Sequence, residues 1–387
     1  MSEALGLVLA GGGARGAFEV GVLAFIAEQM PELLARVRIV TGASVGAINA
    51  AFLASHGLAP SSVAELEDVW RSLRMGGVLN LTRGRVFHVA RRLGAPLFGN
   101  EREPAMGLFD ATPYERLIRE RIDWRGLHEV VASGRLDAVA IACTELQTGG
   151  THLFVHRRRG VPLPFWPHDQ SLVALPSELG PEHVLASTAI PFAFSPVKIG
   201  GYWYSDGGLR QNVPLSPALR LGADALLAVS LGRVRPADEP APHVFPGMSA
   251  LLGKLLNGIF LDRMHWDLDR MGRINDVLDS GTAAYGEAFT ETLQRELRAR
   301  GRQPYRKVPF VSISPSADIG AVAADICRSG RLASDLGPVM RRLIVPAHDR
   351  SADLASYLLF DGAFAAELIA LGRAAAARRA DALGELL

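Results

Sequence analysis

Cysteine is nearly absent from this sequence: Cys143 and Cys327 are its two, far apart and in neither a Cys-x-x-Cys nor a metal-ligand spacing. That excludes a disulfide framework. In a chain of 387 residues two such thiols read as buried and reduced, with a single pairing as the alternative. Aromatic residues make up 7%, without the interleaving of basic and aromatic side chains that stacks nucleobases. Neither sign of charge is in excess, the formal net being +1, so no field draws in nucleic acid and none is expected as a partner. No stretch approaches the roughly 20 apolar residues of a spanning helix. The opening MSEALGLVLAGGGARG has no basic region, and its apolar run is too short for a signal peptide. These absences lead to the expectation of a soluble, cytoplasmic protein, with export lacking a cleaved signal as the alternative.

What is present is apolar bulk, 49% of the residues, enough for a large core in one or two domains. Leu5 to Ala10 is a short apolar run ending in Gly11-Gly12-Gly13, followed by Phe18, Val22, Phe25 and Ile26 at helical spacing. Arg38 to Thr41 reads as a second strand broken at Gly42, and Val45 to Ala54 as a small-residue buried helix. Strand, tight turn and buried helix in repetition predict a three-layer α/β/α sandwich with a mostly parallel central sheet. Further buried strands are expected at Ala138 to Cys143, Ala225 to Ser230 and Pro309 to Ser314. The strand from Ala225 follows Leu219-Arg220-Leu221-Gly222, a helix end with its glycine stop.

Two regions are less regular. Residues 75–110 set Arg83, Arg85, Arg91 and Arg92 around Val86, Phe87, Val89 and Leu93, and residues 232–248 are proline-rich. The second leads into Met248, Leu251, Leu252, Leu255, Leu256, Ile259 and Phe260, a stripe that predicts a core-facing helix, with a membrane-facing one as the alternative. Residues 363–383, rich in Ala and Arg, predict a closing amphipathic helix. No repeat and no feature demanding a second domain is evident.

Three groups of residues carry chemistry. Gly42-Ala43-Ser44-Val45-Gly46 is a G-x-S-x-G between a strand and a helix. A sharp turn there lifts the hydroxyl clear, and the helix N-terminus favours developing negative charge. A serine helix cap in a tight turn is the plainer alternative. Gly11, Gly13 and Gly16 fit the dinucleotide pattern G-x-G-x-x-G, but the second strand ends at Val40-Thr41-Gly42 with no acidic residue to take a ribose. Glycines at this place also let backbone N–H groups converge on an oxyanion. Two loops after consecutive strands could thus supply nucleophile and donors together. Ser205-Asp206-Gly207-Gly208 follows an aromatic strand, where an Asp is ordinarily a turn former. No histidine stands in a distinctive setting. His348 is the one late candidate for a Ser-Asp-His order, and it reads as a surface residue.

Taken in order, these groups resemble the patatin-like phospholipase family. Its pattern is a G-G-G-x-R/K-G loop, then G-x-S-x-G, then D-G-G or D-G-A well downstream. The segment Ala186-Ser187-Thr188-Ala189-Ile190-Pro191-Phe192-Ala193-Phe194-Ser195-Pro196-Val197 and the later Asn212-Val213-Pro214-Leu215 are also similar to the family. The resemblance covers residues 5–232, leaving 233–387 as an extension that packs on this core and sets lid or specificity properties. It implies a Ser-Asp dyad without histidine, Ser44 as nucleophile and Asp206 as base. The glycine loop (Gly11, Gly12, Gly13, Arg15 and Gly16) would form the oxyanion hole through the Gly12 and Gly13 amides, aided by Val45. Gly42, Gly46, Gly207 and Gly208 would support the two turns. Arg15 would hold the loop by bonding its carbonyls, or contact a lipid phosphate. No cofactor and no metal are implied.

The expected partner is therefore a lipid substrate at a membrane or micelle surface, touched through the Arg83 to Leu93 segment or the Met248 to Phe260 stripe. A serine esterase or thioesterase on small soluble esters, and a non-catalytic lipid-binding member, are the alternatives. Head group, acyl chain and oligomeric state are not legible in these residues.

Overall fold

The computed structural model describes residues 4–79, 107–167, 169–211, 215–233, 248–260, 263–302, 304–329, 332 and 352–387. The Arg83 to Leu93 segment, Asn212 to Pro214 and His348 lie outside the described residues. Among the described residues, β1 (Leu5–Leu9), β2 (Val37–Ala43), β3 (Ala138–Glu145), β4 (Thr151–Arg157), β5 (Leu172–Pro176), β6 (Val197–Ile199), β7 (Tyr202–Asp206), β8 (Ala225–Val229) and β9 (Phe310–Ile313) form one sheet. Its order is β5-β4-β3-β2-β1-β8-β9, with the β6–β7 hairpin attached to the C-terminal part of β3. The central pairings β3–β2, β2–β1, β1–β8 and β8–β9 are parallel, while β3–β4 is antiparallel. Every residue of β1, β3 and β8 is buried, as strands covered by helices on both faces must be. The architecture is the predicted three-layer α/β/α sandwich.

Helix α1 (Ala17–Gln29) returns the chain from β1 toward β2, and α2 (Val45–Ser55) and α3 (Pro60–Ser72) follow β2. Downstream come α4 (Pro181–Ser187), the short α5 (Gly208–Gln211), α6 (Met248–Phe260), α7 (Asp353–Leu358) and α8 (Gly362–Ala377). Helix α1 is buried from Ala17 to Ala24, with α3 and α8 packed against it. The chain beyond 232 thus contributes β9 to the sheet and α8, with Phe364, Leu368 and Ile369, to the same core.

One expectation is corrected. Residues 248–260 are helical as their spacing predicts, but only part of the stripe faces the core: Phe260 is buried and Leu256 and Ile259 pack against the core, whereas the rest turns outward. Leu251, Leu252 and Leu255 are 44, 43 and 62% exposed, while the buried side carries Gly253 and Phe260. Periodicity defines a face but not what that face meets. Cys143 is buried, Cys327 half-buried, and both are free thiols. Among the described residues, no helix is long and apolar enough to cross a membrane.

The sheet's contribution to the site lies along one edge of β3. Strand β2 pairs with it as far as Ala43 opposite Ala142, and the next residue, Cys143, pairs with Asp206 of β7. Because β2 runs parallel to β3 and β7 antiparallel, their C-terminal ends meet head-on along that edge. Ser44 and Asp206 come together there. Helix α2 then starts hard against the end of β1: a Cβ on Gly46 would lie 2.6 Å from the Leu9 carbonyl carbon and 2.7 Å from the Ala10 oxygen. Gly46→Ala is therefore expected to lower unfolding stability by about 1–3 kcal/mol in urea melts. Gly384→Ala, where nothing lies within 4 Å of the added carbon, should be neutral or gain up to about 1 kcal/mol. Equal effects at both positions would contradict this packing.

Candidate active site

Ser44 sits between β2 and α2 with φ 52° and ψ −126°, a backbone conformation costly to a residue with a side chain and typical of a nucleophile turn. Its hydroxyl makes no helix-capping bond. It donates instead to Asp206 Oδ2 at 2.6 Å, and both residues are buried. The other carboxylate oxygen, Oδ1, accepts from the Gly208 amide at 2.8 Å. Desolvation by burial pushes the Asp206 carboxyl up to about 7, against the opposing effect of the bonds from Ser44 and Gly208. No described histidine bonds either residue. His152 reaches the Tyr204 hydroxyl and His183 accepts from the Gly180 amide.

The segment Ala186 to Ala189 braces the pair. The Ser187 hydroxyl accepts from the Ser44 amide at 2.9 Å and donates to the Ala142 carbonyl at 2.7 Å. The Ala189 carbonyl accepts from the Asp206 amide at 2.9 Å and from the Ser205 hydroxyl at 2.6 Å. On the other side, Thr144 Oγ1 donates to the Asp206 carbonyl at 2.8 Å. Gly207 presses on the Ala142 carbonyl so closely that no Cβ would fit there. Gly42 is likewise backed against Gly46.

The glycine loop continues β1, whose Leu9 pairs with Gly42, and so lies beside the Ser44 turn. Gly16 packs on Val45. Gly13 has φ 59° and lies against the Tyr357 carbonyl. Gly12 and Gly13 are buried, and among the described residues their amides have no hydrogen-bond acceptor. A buried unpaired N–H is costly unless a ligand supplies the acceptor. The Ser44 amide, by contrast, is already taken up by Ser187.

Residues 7–219, more than half of the chain, match the family model described as patatin-like phospholipase. The chain belongs to that family. Membership places it among lipid acyl hydrolases. Among solved structures, it is similar to VipD from Legionella pneumophila at 13% identity and a TM-score of 0.35, covering 96% of this chain and 67% of that one. Human GIVD cytosolic phospholipase A2, solved with methyl gamma-linolenyl fluorophosphonate, matches at 12% identity and a TM-score of 0.37 over 100% and 59%. ExoU of Pseudomonas aeruginosa, solved with SpcU, matches at 15% and 0.31 over 98% and 78%. The chain thus spans about three-fifths of the human enzyme's length.

In this patatin-like chain Arg15 reaches neither the loop carbonyls nor an open surface. It is buried, with Nε donating to the Ser356 hydroxyl at 2.8 Å and Nη2 to Asn257 Oδ1 at 3.1 Å. It also pairs with Asp353 at 3.4 Å and stacks over the Tyr357 ring. The motif arginine fastens the glycine loop to α6 and α7, partners too distant in sequence to be seen from the motif. A second buried group escaped the sequence reading altogether. Asn49 Nδ2 donates to Glu19 Oε2 at 2.8 Å and to the Gly16 carbonyl at 3.2 Å, while Trp70 Nε1 donates to Asn49 Oδ1 at 3.0 Å. Burial holds the Glu19 carboxyl well above the usual carboxylate range. The Gly16 end of the glycine loop is so tied to the helix that carries Ser44. The signal was available: a Glu and an Asn inside two otherwise apolar helices.

Beside the pair, Tyr114 is buried and feels the Asp206 charge. It helps line a small apolar recess of about 40 Å³ with Ile48, Phe52, Trp70, Leu117 and Phe360. A depression of about 680 Å³, lined by Arg273, Phe310 and Arg378, lies at the β9 edge and shares no residue with the pair. Among the described residues, no cluster of His, Cys, Asp or Glu could hold a metal ion.

The raised Asp206 carboxyl makes a stability prediction. Folded protein keeps that proton up to about pH 7, whereas the unfolded chain releases it near the ordinary value of 3.8. The contribution is full below the lower value and is lost as pH rises through the upper one. Asp206→Asn does not titrate and can still accept from Gly208. Its stability relative to wild type should therefore climb by about 1–4 kcal/mol between acid and mildly alkaline pH. Denaturant melts across that range test this; a pH-independent difference would contradict a protonated, buried Asp206.

Proposed function

We propose that this protein hydrolyses fatty-acyl esters of lipids through a Ser44–Asp206 dyad and an acyl-enzyme. The observation that carries the reading is the buried 2.6 Å hydrogen bond from Ser44 Oγ to Asp206 Oδ2 in a strained strand-to-helix turn. Ser44 Oγ attacks the ester carbonyl while its proton passes to Asp206. The oxyanion is received by the Gly12 and Gly13 amides, with the α2 N-terminus adding to the field. Collapse expels the alcohol or lysolipid, which takes the proton from Asp206 and leaves Ser44 acylated. Water then gives its proton to Asp206 and attacks the acyl carbonyl. The second collapse frees the carboxylic acid, and the proton returns to Ser44 Oγ.

A carboxylate is a weak base toward a hydroxyl, and two features compensate. Burial raises the Asp206 carboxyl to about 7, close to the working pH of a neutral medium. The oxyanion donors need no reorganisation, because the loop that presents them is fixed at Gly16 and Arg15. An apolar recess begins at Ile48, one helical turn beyond Ser44. Its volume of about 40 Å³ favours, as a second reading, an esterase or thioesterase on short acyl groups. The intact dyad and loop speak against a non-catalytic role. We also infer that residues 5–232 carry the chemistry, with the chain beyond 232 governing access and specificity.

Ser44→Ala should lose on the order of 10⁴-fold or more of ester turnover, and Asp206→Ala about 10²–10⁴-fold, with both proteins folded. Fatty-acid release from phosphatidylcholine liposomes beside turnover of short-chain nitrophenyl esters is the measurement. Near-normal activity in Asp206→Ala would sink the dyad. Turnover confined to the short esters would select the second reading.

A further inference from the structure

Helix α6 packs on the core through Phe260, Leu256 and Ile259, and polar contacts fasten it there as well. Asn257 Oδ1 accepts from Arg15 Nη2 at 3.1 Å and from the Tyr357 hydroxyl at 2.9 Å, and Lys254 pairs with Asp353 at 2.6 Å. Gly253 lets the helix backbone press onto Asp353 and Leu354, and Phe260 is the one fully buried ring on that side. Leu251, Leu252 and Leu255 occupy the opposite sector of the helix, where a surface helix ordinarily carries charge. Single exposed leucines are ordinary, but three on one face form a patch.

The patch lies at the catalytic end of the molecule. Helix α6 packs on α5, which begins two residues after Asp206, and Asn257 is bonded to the arginine of the glycine loop. The apolar face and the oxyanion loop therefore belong to one rigid unit. We propose that α6 is the element by which the enzyme seats on a lipid surface, with Leu251, Leu252 and Leu255 entering the boundary between headgroups and acyl chains. The proposal rests on the lipid-ester reading above.

Size and charge both favour lipid over a protein partner. Three part-exposed leucines offer at most a few hundred Å², well short of the roughly 800 Å² per partner of a standard protein interface. Shallow insertion of a few side chains into a bilayer needs no more than that. Lys254 is the helix's single ionisable side chain, and it pairs with Asp353, which Arg15 shares. Attraction is therefore chiefly apolar and depends little on lipid charge or salt.

The test separates seating from chemistry by using Ser44→Ala protein for binding. It should sediment with vesicles of phosphatidylcholine alone and of phosphatidylcholine with phosphatidylglycerol, at low and high salt alike. Adding Leu251→Gln, Leu252→Gln and Leu255→Gln should cut partitioning by about ten-fold or more. Partitioning equal to the parent, binding abolished by salt, or a concentration-dependent dimer that these changes dissolve would each overturn the proposal. With Ser44 intact, the same changes should lower the ratio of liposome to soluble-ester turnover by about ten-fold; an equal fall in both activities would count against seating. Absence of all turnover in wild type would instead sink the hydrolase reading, leaving sedimentation to decide the role of α6.

Discussion

Strand β3 gives one edge to two partners, and the site depends on where the first stops and the second begins. Ala142 pairs with Ala43 and Cys143 with Asp206. Successive positions on one strand are about 3.3 Å apart, so the ends of β2 and β7 cannot be more than a side chain's reach from each other. The chain must leave β2 sharply at Ser44 because β7 already occupies the edge beyond it. Ser44's positive φ follows from that crowding, and so does the lack of room for a Cβ at Gly207 against the Ala142 carbonyl. Ser187 completes the junction by bridging the Ser44 amide to the Ala142 carbonyl across the seam.

Enclosure at that seam produces the electrostatics. Asp206 lies among Cys143, Ala189, Thr188 and Tyr114, with a single hydroxyl and a single backbone amide to support its charge. The resulting rise of its carboxyl opposes stability at neutral pH and favours proton transfer there. Such a site must be rigid, since a small widening would admit water and return the carboxyl to its ordinary range. Rigidity comes from two buried polar clusters flanking the glycine loop: Glu19, Asn49 and Trp70 on one side, Arg15 with Asp353, Ser356 and Asn257 on the other.

Much of this was legible in the sequence where the information is local. The short apolar runs that become β1, β3 and β8 are buried on both faces, and such strands announce themselves by composition. The Gly11–Gly16, Gly42–Gly46 and Ser205–Gly208 turns were visible because tight backbone geometry restricts residue choice. Their assembly was not local: it came from the order of motifs matched to a family. Strand β4, with its alternating Thr151, Leu153 and Val155 inward, was passed over, and so was the pairing of β7 onto β3. The partners of Arg15 lie 242 to 341 residues away, beyond anything a motif encodes. The stripe of α6 showed its period truthfully but its direction only in part: Leu256, Ile259 and Phe260 meet the core, while polar contacts from α7 and the glycine loop leave Leu251, Leu252 and Leu255 outside.

The central claim is that Asp206, unaided by histidine, takes the proton from Ser44 once it is ionised. Its most direct test is the rate at which a fluorophosphonate acylates Ser44 as a function of pH, in wild type and in Asp206→Asn. The account predicts a wild-type rate that rises through a single ionisation near 7 and levels off above it. Asp206→Asn should be slower by about 10²-fold or more and independent of pH. A wild-type rate that ignores pH across this range, or equal labelling of the two proteins, would contradict it.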